Sequence, residues 1–318
     1  MKTRGSPSDR FPIYEFLPTF AFQCSNQILT MQSSPNPPIH LSKFSGEQIP
    51  FDLEKLRVSL YKSGAKREEV EQVIEEILPS LYEGMSTRSL YQLAFKQLKK
   101  VANSFAARYS LKKALRDLGP AGYYFEKWVA RFFHSYGYKT MTGQLIPGLA
   151  VMHEADVIAQ KDRETFWIEC KFRNTVDAKI SVTTPMYLLS RIKDISVREY
   201  ELFGGKAMFS NGWLITNAYL TTDSIHFGEY YGIRMLSWDY PSGASIKNLV
   251  DQKALYPITC LTTITPKEKE VLLAASCIMV KDIMENEHFL DRLALSKKKR
   301  RIVLNEVCEL AESNTVPD

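Results

Sequence analysis

Apolar positions in the first third of the chain follow two successive spacings. Between residues 39 and 51, two short apolar runs stand on either side of a glycine, which predicts a strand, a turn and a second strand. From residue 53 onward apolar residues recur at helical spacing, with Asp52 placed to cap the first helix and Gly64 and Gly84 placed to end the first two. The helices are predicted at residues 53–63, 67–81 and 89–98, the last continuing towards residue 109.

A different pattern begins after Leu118. Residues 123–136 have the period of a helix, but their apolar side chains are too numerous for a surface helix, so this helix should pack on a sheet. After a linker, two strand-like runs stand on either side of a turn at Asp162-Arg163. The further elements predicted are a helix at 184–203, strand segments at 207–209 and 213–216, a helix at 221–231 and a strand at 233–236. Together they predict an α/β core around a central mixed sheet.

The end of the chain returns to helical spacing. Pro266 suits the first turn of a helix, residues 282–293 predict a second helix, and Ser296 is placed to cap a third. That third helix carries five consecutive basic residues at 297–301. The segment 290–302 faintly resembles a helix-hairpin-helix, a motif that binds DNA phosphates, and a solvated helix end explains the same charges equally well.

The chain is therefore predicted to be a multidomain protein of the α+β and α/β classes. Its parts are expected at residues 1–38, a disordered N-terminal extension; 39–118, a hairpin with helices; 120–240, the α/β core; and 250–318, a helical C-terminal region. Within the extension, Met31 precedes a proline-rich stretch, and we favour it as the true start over the alternative that the first residues are a targeting segment.

Composition narrows the class of protein only slightly. With 318 residues and 45% hydrophobic content, the chain can build a sizeable core. Its net charge of +5 is compatible with nucleic-acid binding and is also common among proteins that bind none. Five cysteines without a CxxC spacing favour neither a disulfide framework nor a zinc site, so we expect a reducing cytoplasm. No apolar run reaches the length of about 18 residues that a membrane span needs.

The candidate chemistry is concentrated in the hairpin around Asp162-Arg163. With the turn centred there, strand register places Asp156 directly opposite Glu169, and alternation places Lys171 on the same face as Glu169. Two opposed carboxylates repel each other unless a cation lies between them, and Mg²⁺ prefers such oxygen ligands. We therefore expect Asp156 and Glu169 to hold Mg²⁺, and Lys171 to orient an attacking water or to stabilise the charge of a pentacovalent phosphate.

The residues around this hairpin resemble a nuclease superfamily. The segments Phe125-Glu126-x-x-Val129-Ala130, His153-Glu154-Ala155-Asp156-Val157-Ile158 and Ile168-Glu169-Cys170-Lys171 are similar to the Mrr branch of the restriction-endonuclease-like PD-(D/E)XK superfamily. The resemblance covers about residues 120–240, with Ala155 where the superfamily often has a proline. It implies a restriction-endonuclease-like fold, a catalytic Glu126 that assists at the metal, and the backbone carbonyl of Cys170 as a further metal ligand.

Other polar residues near these motifs have weaker interpretations. His153 and Glu154 are expected to be structural neighbours of the site. Four basic residues either line a DNA track or occupy solvated helix faces: Lys179, Arg191, Lys193 and Arg198.

The N-terminal part resembles the ATP-cone, a nucleotide-sensing module. The residues that carry the resemblance are Ser42-Lys43-Phe44-Ser45-Gly46, Pro50-Phe51-Asp52, Glu54-Lys55-Leu56, Gly64-Ala65, Ser86-Thr87 and Ala106-Ala107-Arg108-Tyr109. The resemblance implies that Lys43 and Lys55 contact nucleotide phosphates and that Thr87 lies near the nucleotide, with ATP or dATP as effector. Phe44 and Ile49 depart from the family pattern, which leaves the choice between ATP and dATP open. A small helical domain with solvated lysines is the alternative.

These patterns lead to two hypotheses about function. The favoured one is a cytoplasmic Mg²⁺-dependent DNA endonuclease that is regulated by ATP or dATP and acts in restriction, defence or DNA processing. The alternative is a nucleotide-responsive DNA-binding regulator whose hairpin is catalytically silent. Either protein would bind DNA and a nucleoside triphosphate, would stay out of the membrane, and is expected to form a homo-oligomer.

Overall fold

The structure is a computed structural model that describes residues 39–43, 45–119 and 121–312. The expectations for residues 1–38, including Met31 as the start, lie outside the described residues, as do Phe44, Pro120 and residues 313–318. No helix within the described ranges is long and apolar enough to cross a membrane.

The N-terminal unit joins a small sheet to a set of helices. Its elements are β1 (His40–Ser42), β2 (Gln48–Pro50), α1 (Leu53–Tyr61), α2 (Arg67–Ile77), a 3₁₀ turn (Leu78–Ser80), β3 (Met85–Ser86), α3 (Thr87–Val101), α4 (Asn103–Tyr109) and α5 (Leu111–Arg116). Strand β1 pairs antiparallel with β2 and parallel with β3. Asp52 caps α1 as predicted, because its carboxylate accepts the backbone N–H of Lys55 at 3.0 Å.

Two helices of this unit are shorter than the sequence pattern predicts. The helix predicted at 67–81 ends at Ile77, since Pro79 has no N–H to donate and its ring crowds the preceding turn. The helix predicted to continue towards residue 109 stops at Val101, and Ala102 has extended backbone angles (φ −152°, ψ 142°). Alanine favours helix, so tertiary packing causes this break: α4, which follows it, buries Ala106 and Ala107 completely.

The central unit is a mixed five-stranded sheet with accompanying helices. Its elements are α6 (Tyr123–Ser135), β4 (Lys139–Pro147), β5 (Met152–Lys161), β6 (Glu164–Cys170), β7 (Lys179–Ile180), α7 (Thr183–Ile195), β8 (Tyr200–Leu202), β9 (Gly205–Ala207), β10 (Phe209–Ile215), β11 (Tyr219–Leu220), α8 (Thr222–Tyr231) and β12 (Arg234–Leu236). The sheet order is β12-β10-β6-β5-β4, with β4, β5 and β6 antiparallel and β6, β10 and β12 parallel. The predicted mixed α/β architecture is confirmed.

Buried side chains cover both faces of this sheet. On one face, Phe125 and Trp128 of α6 pack in the same cluster as Ile168 of β6. On the other face, Leu188 of α7 packs with Trp167 of β6. Burial on both sides explains why residues 166–168 in the middle of β6 are continuously apolar instead of alternating.

The C-terminal region packs on the same face of the sheet as α6. Its elements are α9 (Ile246–Lys253), a 3₁₀ turn (Ile258–Cys260), α10 (Pro266–Ala274), α11 (Val280–Glu285), a 3₁₀ helix (Glu287–Arg292) and α12 (Lys297–Ala311). Trp128 donates its indole N–H to the carbonyl of Leu255 at 3.1 Å, and Leu272 and Val303 belong to the same buried cluster. One core therefore runs from the sheet into the C-terminal helices.

Three sequence predictions in these regions are wrong. The supposed linker before the hairpin is β4, a nine-residue edge strand whose polar residues conceal its alternation. The helix predicted at 184–203 ends at Ile195, because the chain turns at Phe203-Gly204 with positive φ and pairs β8 with β9. The helix predicted at 282–293 ends at Glu285, since Asn286 is extended and its side chain starts a 3₁₀ helix by accepting the N–H of His288.

Candidate active site

The hairpin of β5 and β6 has the predicted turn and register. Asp162 and Arg163 both have positive φ (49° and 74°), the geometry of a two-residue hairpin turn that matches the twist of the strands. Val157 pairs with Ile168, so the next position along each strand places Asp156 opposite Glu169. The predicted register is confirmed.

Asp156 lies in a mostly buried position at the end of this pairing. Its Oδ2 accepts the backbone N–H of Cys170 at 2.7 Å, which ties the carboxylate to the end of β6. Burial, and next the negative charge of Glu169, raise the pKa of Asp156 to about 6. The hydrogen bond from Cys170 acts in the opposite direction, and burial outweighs it.

Glu126 reaches the same place from the first turn of α6. Burial raises the pKa of Glu126 to about 7, with further contributions from the charges of Asp156, Glu154 and Glu169. The helix begins directly after Gly122, whose φ of +83° is in the left-handed region. The structure therefore brings together the three carboxylates that the sequence analysis singled out.

Glu169 is buried and has a strong partner that the sequence did not predict. Only 7% of the residue is exposed, and its Oε2 accepts a hydrogen bond from Nη1 of Arg191 at 2.8 Å. Nη1 also lies 3.2 Å from the carbonyl oxygen of Glu154, and Nη2 donates to the hydroxyl of Tyr187 at 2.9 Å. The sequence predicts Arg191 either on a DNA track or on a solvated helix face, and the structure pairs it with Glu169 instead.

Lys171 follows β6 directly. Its backbone N–H donates to the carbonyl of Ile215 at 2.8 Å, and its carbonyl accepts the hydroxyl of Thr216 at 2.6 Å, so the backbone is held on both sides. The side chain is half-buried, and its ammonium has no ion-pair partner within the described ranges. The backbone of Lys171 is thus fixed, and its ammonium forms no ion pair with the described residues.

His153 and Asp194 form a separate structural pair, as expected for His153. Nε2 of His153 lies 2.8 Å from Oδ2 of Asp194, and Oδ1 of Asp194 accepts the N–H of Ala150 at 2.9 Å. The hydrogen bond from His153 is the main cause that lowers the pKa of Asp194. This pair fastens the β4–β5 connection to α7, the helix that carries Arg191.

The remaining basic candidates lie on the surface. Lys179, Lys193 and Arg198 are exposed, which agrees equally with a DNA track and with solvated helix faces. In the run at 297–301, Lys299 pairs with Glu268 at 2.8 Å and Arg300 pairs with Asp291. Two of the five basic residues in that run therefore form ion pairs within the C-terminal region itself.

The residues predicted to bind nucleotide are only partly brought together. The parallel pairing of Ser42 with Ser86 brings together the strand ends that directly precede Lys43 and Thr87. Lys43 pairs with Glu47 at 3.0 Å. Lys55 pairs with Asp52 at 3.3 Å, its side chain is 85% exposed, and no contact joins it to Lys43 or Thr87 within the described parts of the chain.

Comparison with known proteins identifies a family. Residues 256–311 match the family model described as AF1548-like, C-terminal. A protein of Archaeoglobus fulgidus described as uncharacterized is 31% identical over 182 residues, which cover 56% of this chain and 97% of that relative. The chain belongs to the AF1548-like family.

Two solved structures are similar to this AF1548-like protein. The crystal structure of the protein of unknown function AF1548 has 30% sequence identity and a TM-score of 0.48, covering 59% of this chain and 97% of that one. Protein VC1899 from Vibrio cholerae has 13% identity and a TM-score of 0.23, covering 62% of this chain and 56% of that one. At these TM-scores, the similarity says nothing about the activity of this chain.

The donor set of this AF1548-like chain fits a hard divalent cation. Asp156 and Glu169 supply carboxylate oxygens and Glu126 lies close by, and burial with repulsion from neighbouring carboxylates raises the pKa of Asp156 and Glu126, so their negative charge is costly without a counter-charge. Among the described residues, no group of three or more His, Cys, Asp or Glu side chains is arranged as a ready-made metal site. The expected set differs from such a group, because it contains two carboxylates and the backbone carbonyl of Cys170.

Proposed function

We propose that this protein is a Mg²⁺-dependent DNA endonuclease. The observation that carries the proposal is the meeting of Glu126, Asp156 and Glu169 at the end of one hairpin, where Lys171 directly follows β6. Perturbed carboxylates with a specific charge partner are typical of catalytic sites, although structural ion pairs also produce them. The resemblance of these residues to the PD-(D/E)XK pattern gives the reaction class, hydrolysis of a phosphodiester.

The order of the elements supports the same proposal. A helix that carries Glu126 precedes three antiparallel strands, and the first catalytic carboxylate and the Glu-x-Lys segment lie on the second and third. After α7, a strand parallel to β6 continues the sheet. We infer that this central unit has the restriction-endonuclease-like fold.

Each residue has a separate role in the proposed reaction. Asp156, Glu169 and the carbonyl of Cys170 would hold Mg²⁺. The cation would stabilise the negative charge of the phosphate and lower the pKa of a bound water. Glu126 would assist on the side of α6 as a proton acceptor. Lys171 would orient the attacking water or stabilise the charge that develops on the phosphate.

The N-terminal unit would supply regulation of this nuclease. We propose that ATP or dATP binds beside Lys43 and Thr87, with Lys55 reaching the phosphates from α1. The nucleotide would act through a homo-oligomer and not through the metal site. The role in restriction, defence or DNA processing is proposed by family analogy alone.

Plasmid cleavage in Mg²⁺, with and without ATP or dATP, tests the proposal. Asp156→Asn, Glu169→Gln and Lys171→Met should each abolish cleavage and leave the protein folded, because each keeps the approximate shape of its side chain. Lys139→Met, an exposed lysine at the far end of β4, is the matched control and should cut like the wild type. Cleavage by Asp156→Asn at the wild-type rate would falsify the assignment of the site.

A second candidate function is a nucleotide-responsive DNA-binding regulator with a silent site. The observation that favours it is the ion pair of Arg191 with Glu169, since a guanidinium already neutralises one of the proposed metal ligands. This candidate predicts that the wild type binds duplex DNA, that ATP or dATP changes its affinity, and that no divalent cation produces cleavage. Cleavage that disappears in Glu169→Gln would rule it out.

A further inference from the structure

Arg191 has the contacts of a residue that binds a ligand inside the site. It is half-buried, and its Nη1 and Nη2 donate to Glu169 and Tyr187 at 2.8 and 2.9 Å. Its Nε is buried and has no hydrogen-bond partner among the described residues. A buried donor without an acceptor is unfavourable, so an acceptor oxygen from outside the chain would stabilise this position.

Aromatic rings hold the guanidinium in place on the other side. Its central carbon lies 4.6 Å from the ring centre of Tyr187 and 5.7 Å from that of Trp167. These contacts favour a cation through the ring electrons and do not depend on the pairing with Glu169. Arg191 can therefore exchange its carboxylate partner for another anion without leaving its position.

A divalent cation bound by Glu169 would compete with Arg191 for that carboxylate. The guanidinium would then lose its counter-charge, and Nη1 would join Nε in lacking an anionic acceptor. The N–H groups of Nε and Nη2 run parallel along one edge of a guanidinium, so a phosphate that accepts from Nε would place a second oxygen at Nη2, which is the geometry that makes arginine a frequent phosphate ligand.

We propose that Arg191 is the phosphate-binding residue of this site, paired with Glu169 until a divalent cation takes that carboxylate, and then bound to the non-bridging oxygens of the phosphodiester. This inference rests on the proposed nuclease function. It makes the Glu169 ion pair an exchangeable resting contact of the cation-free site, and not a sign that the site is silent.

Binding measurements with full-length protein test the inference without turnover. Ca²⁺ replaces Mg²⁺, so that calorimetry reports cation binding without DNA, and a short duplex is then titrated in Ca²⁺. Arg191→Gln should bind Ca²⁺ about five- to tenfold more tightly, because it removes a positive charge beside the ligands. The same variant should bind the duplex about tenfold more weakly, because it loses charged hydrogen bonds to phosphate.

Two further variants separate this role from a structural one. Lys206→Gln breaks the exposed ion pair with Glu199 and should change neither affinity. Arg191→Lys keeps the positive charge but lacks the paired N–H donors of a guanidinium, so it should bind Ca²⁺ like the wild type and bind the duplex more weakly. If Arg191→Gln does not fold, the Arg191→Lys variant alone tests the inference.

The outcomes distinguish the inference from the proposed function. Unchanged duplex affinity in both Arg191 variants, with a cleaving wild type, overturns the inference alone and leaves Arg191 as a structural partner of Glu169. A wild type that binds no divalent cation overturns the proposed nuclease function and this inference together. Tighter cation binding with weaker duplex binding supports both.

Discussion

At the scale of single residues, the unusual property of the site is the raised pKa of two of its carboxylates. Burial raises the pKa of Glu126 to about 7 and that of Asp156 to about 6. Folded-state pKa values above those of the unfolded chain mean that protonation stabilises the fold. This stabilisation is fully present below pH ~4 and is lost as the pH rises through 6 and 7.

We therefore expect the melting temperature of the cation-free protein to fall between pH 5 and pH 8, and Mg²⁺ to restore it at pH 8 by replacing the protons. Glu126→Gln should remove the upper part of this fall, since the amide cannot ionise. Glu164→Gln, an exposed carboxylate on the same hairpin, is the control and should keep the wild-type profile. A wild-type melting temperature that is constant over this range and insensitive to Mg²⁺ would contradict the prediction.

At the scale of elements, the start of α6 controls where Glu126 lies. Gly122 has φ +83°, and a Cβ there would lie 3.3 Å from the Cβ of Phe172 and 3.9 Å from Oε1 of Glu126. Gly122→Ala should therefore lower the free energy of unfolding by about 1–2 kcal/mol and weaken Mg²⁺ binding, because backbone strain and crowding both act at the site. Calorimetric titration and chemical unfolding measure the two effects.

Gly204→Ala is the matched control for this variant. Gly204 has almost the same φ, +82°, but a Cβ there meets nothing within 4 Å. It should show the backbone strain alone, with unchanged Mg²⁺ binding. If both variants lose the same stability and both bind Mg²⁺ normally, then α6 does not depend on Gly122 to position Glu126.

The sequence predicted elements well where one local pattern dominates. The apolar strand and the turn at Asp162-Arg163 were enough to give the hairpin and the positions of Asp156 and Glu169. It failed for β4, because an edge strand needs no apolar face, and for residues 196–203, because an apolar run before Gly204 suits a helix end and a hairpin equally. The partnership of Arg191 with Glu169 joins positions 22 residues apart through tertiary packing, for which the sequence has no local signal.

At the scale of the whole molecule, the N-terminal unit is attached to the C-terminal region as well as to α6. Lys99 of α3 donates to the carbonyl of Thr262 at 2.7 Å, and Arg108 of α4 donates to that of Glu309 at 2.6 Å. Thr259 donates its hydroxyl to the carbonyl of Ala114 at 2.7 Å. A change in the N-terminal unit therefore has direct contacts through which it can affect the core behind Glu126.

We expect saturating ATP or dATP to change the oligomeric state and, with it, the cleavage rate by roughly 5- to 150-fold, the usual range of coupling between two sites. Lys43→Ala combined with Lys55→Ala should remove the response and keep basal cleavage, since neither lysine belongs to the metal site. The combination of Lys62→Ala and Lys96→Ala, both exposed, should leave the response intact. Identical sedimentation and rate with and without nucleotide would show that the N-terminal unit is passive.

The core shared by the sheet and the C-terminal helices has a consequence for how the chain can be divided. Gly243 is exposed, has φ +78° and lies where an added Cβ meets nothing, so a break there disturbs no packing. The buried cluster, however, draws side chains from both sides of that break. We consequently expect two separately produced polypeptides, residues 1–242 and 243–318, to associate and form the native structure. Either piece alone would expose half of the buried cluster to solvent.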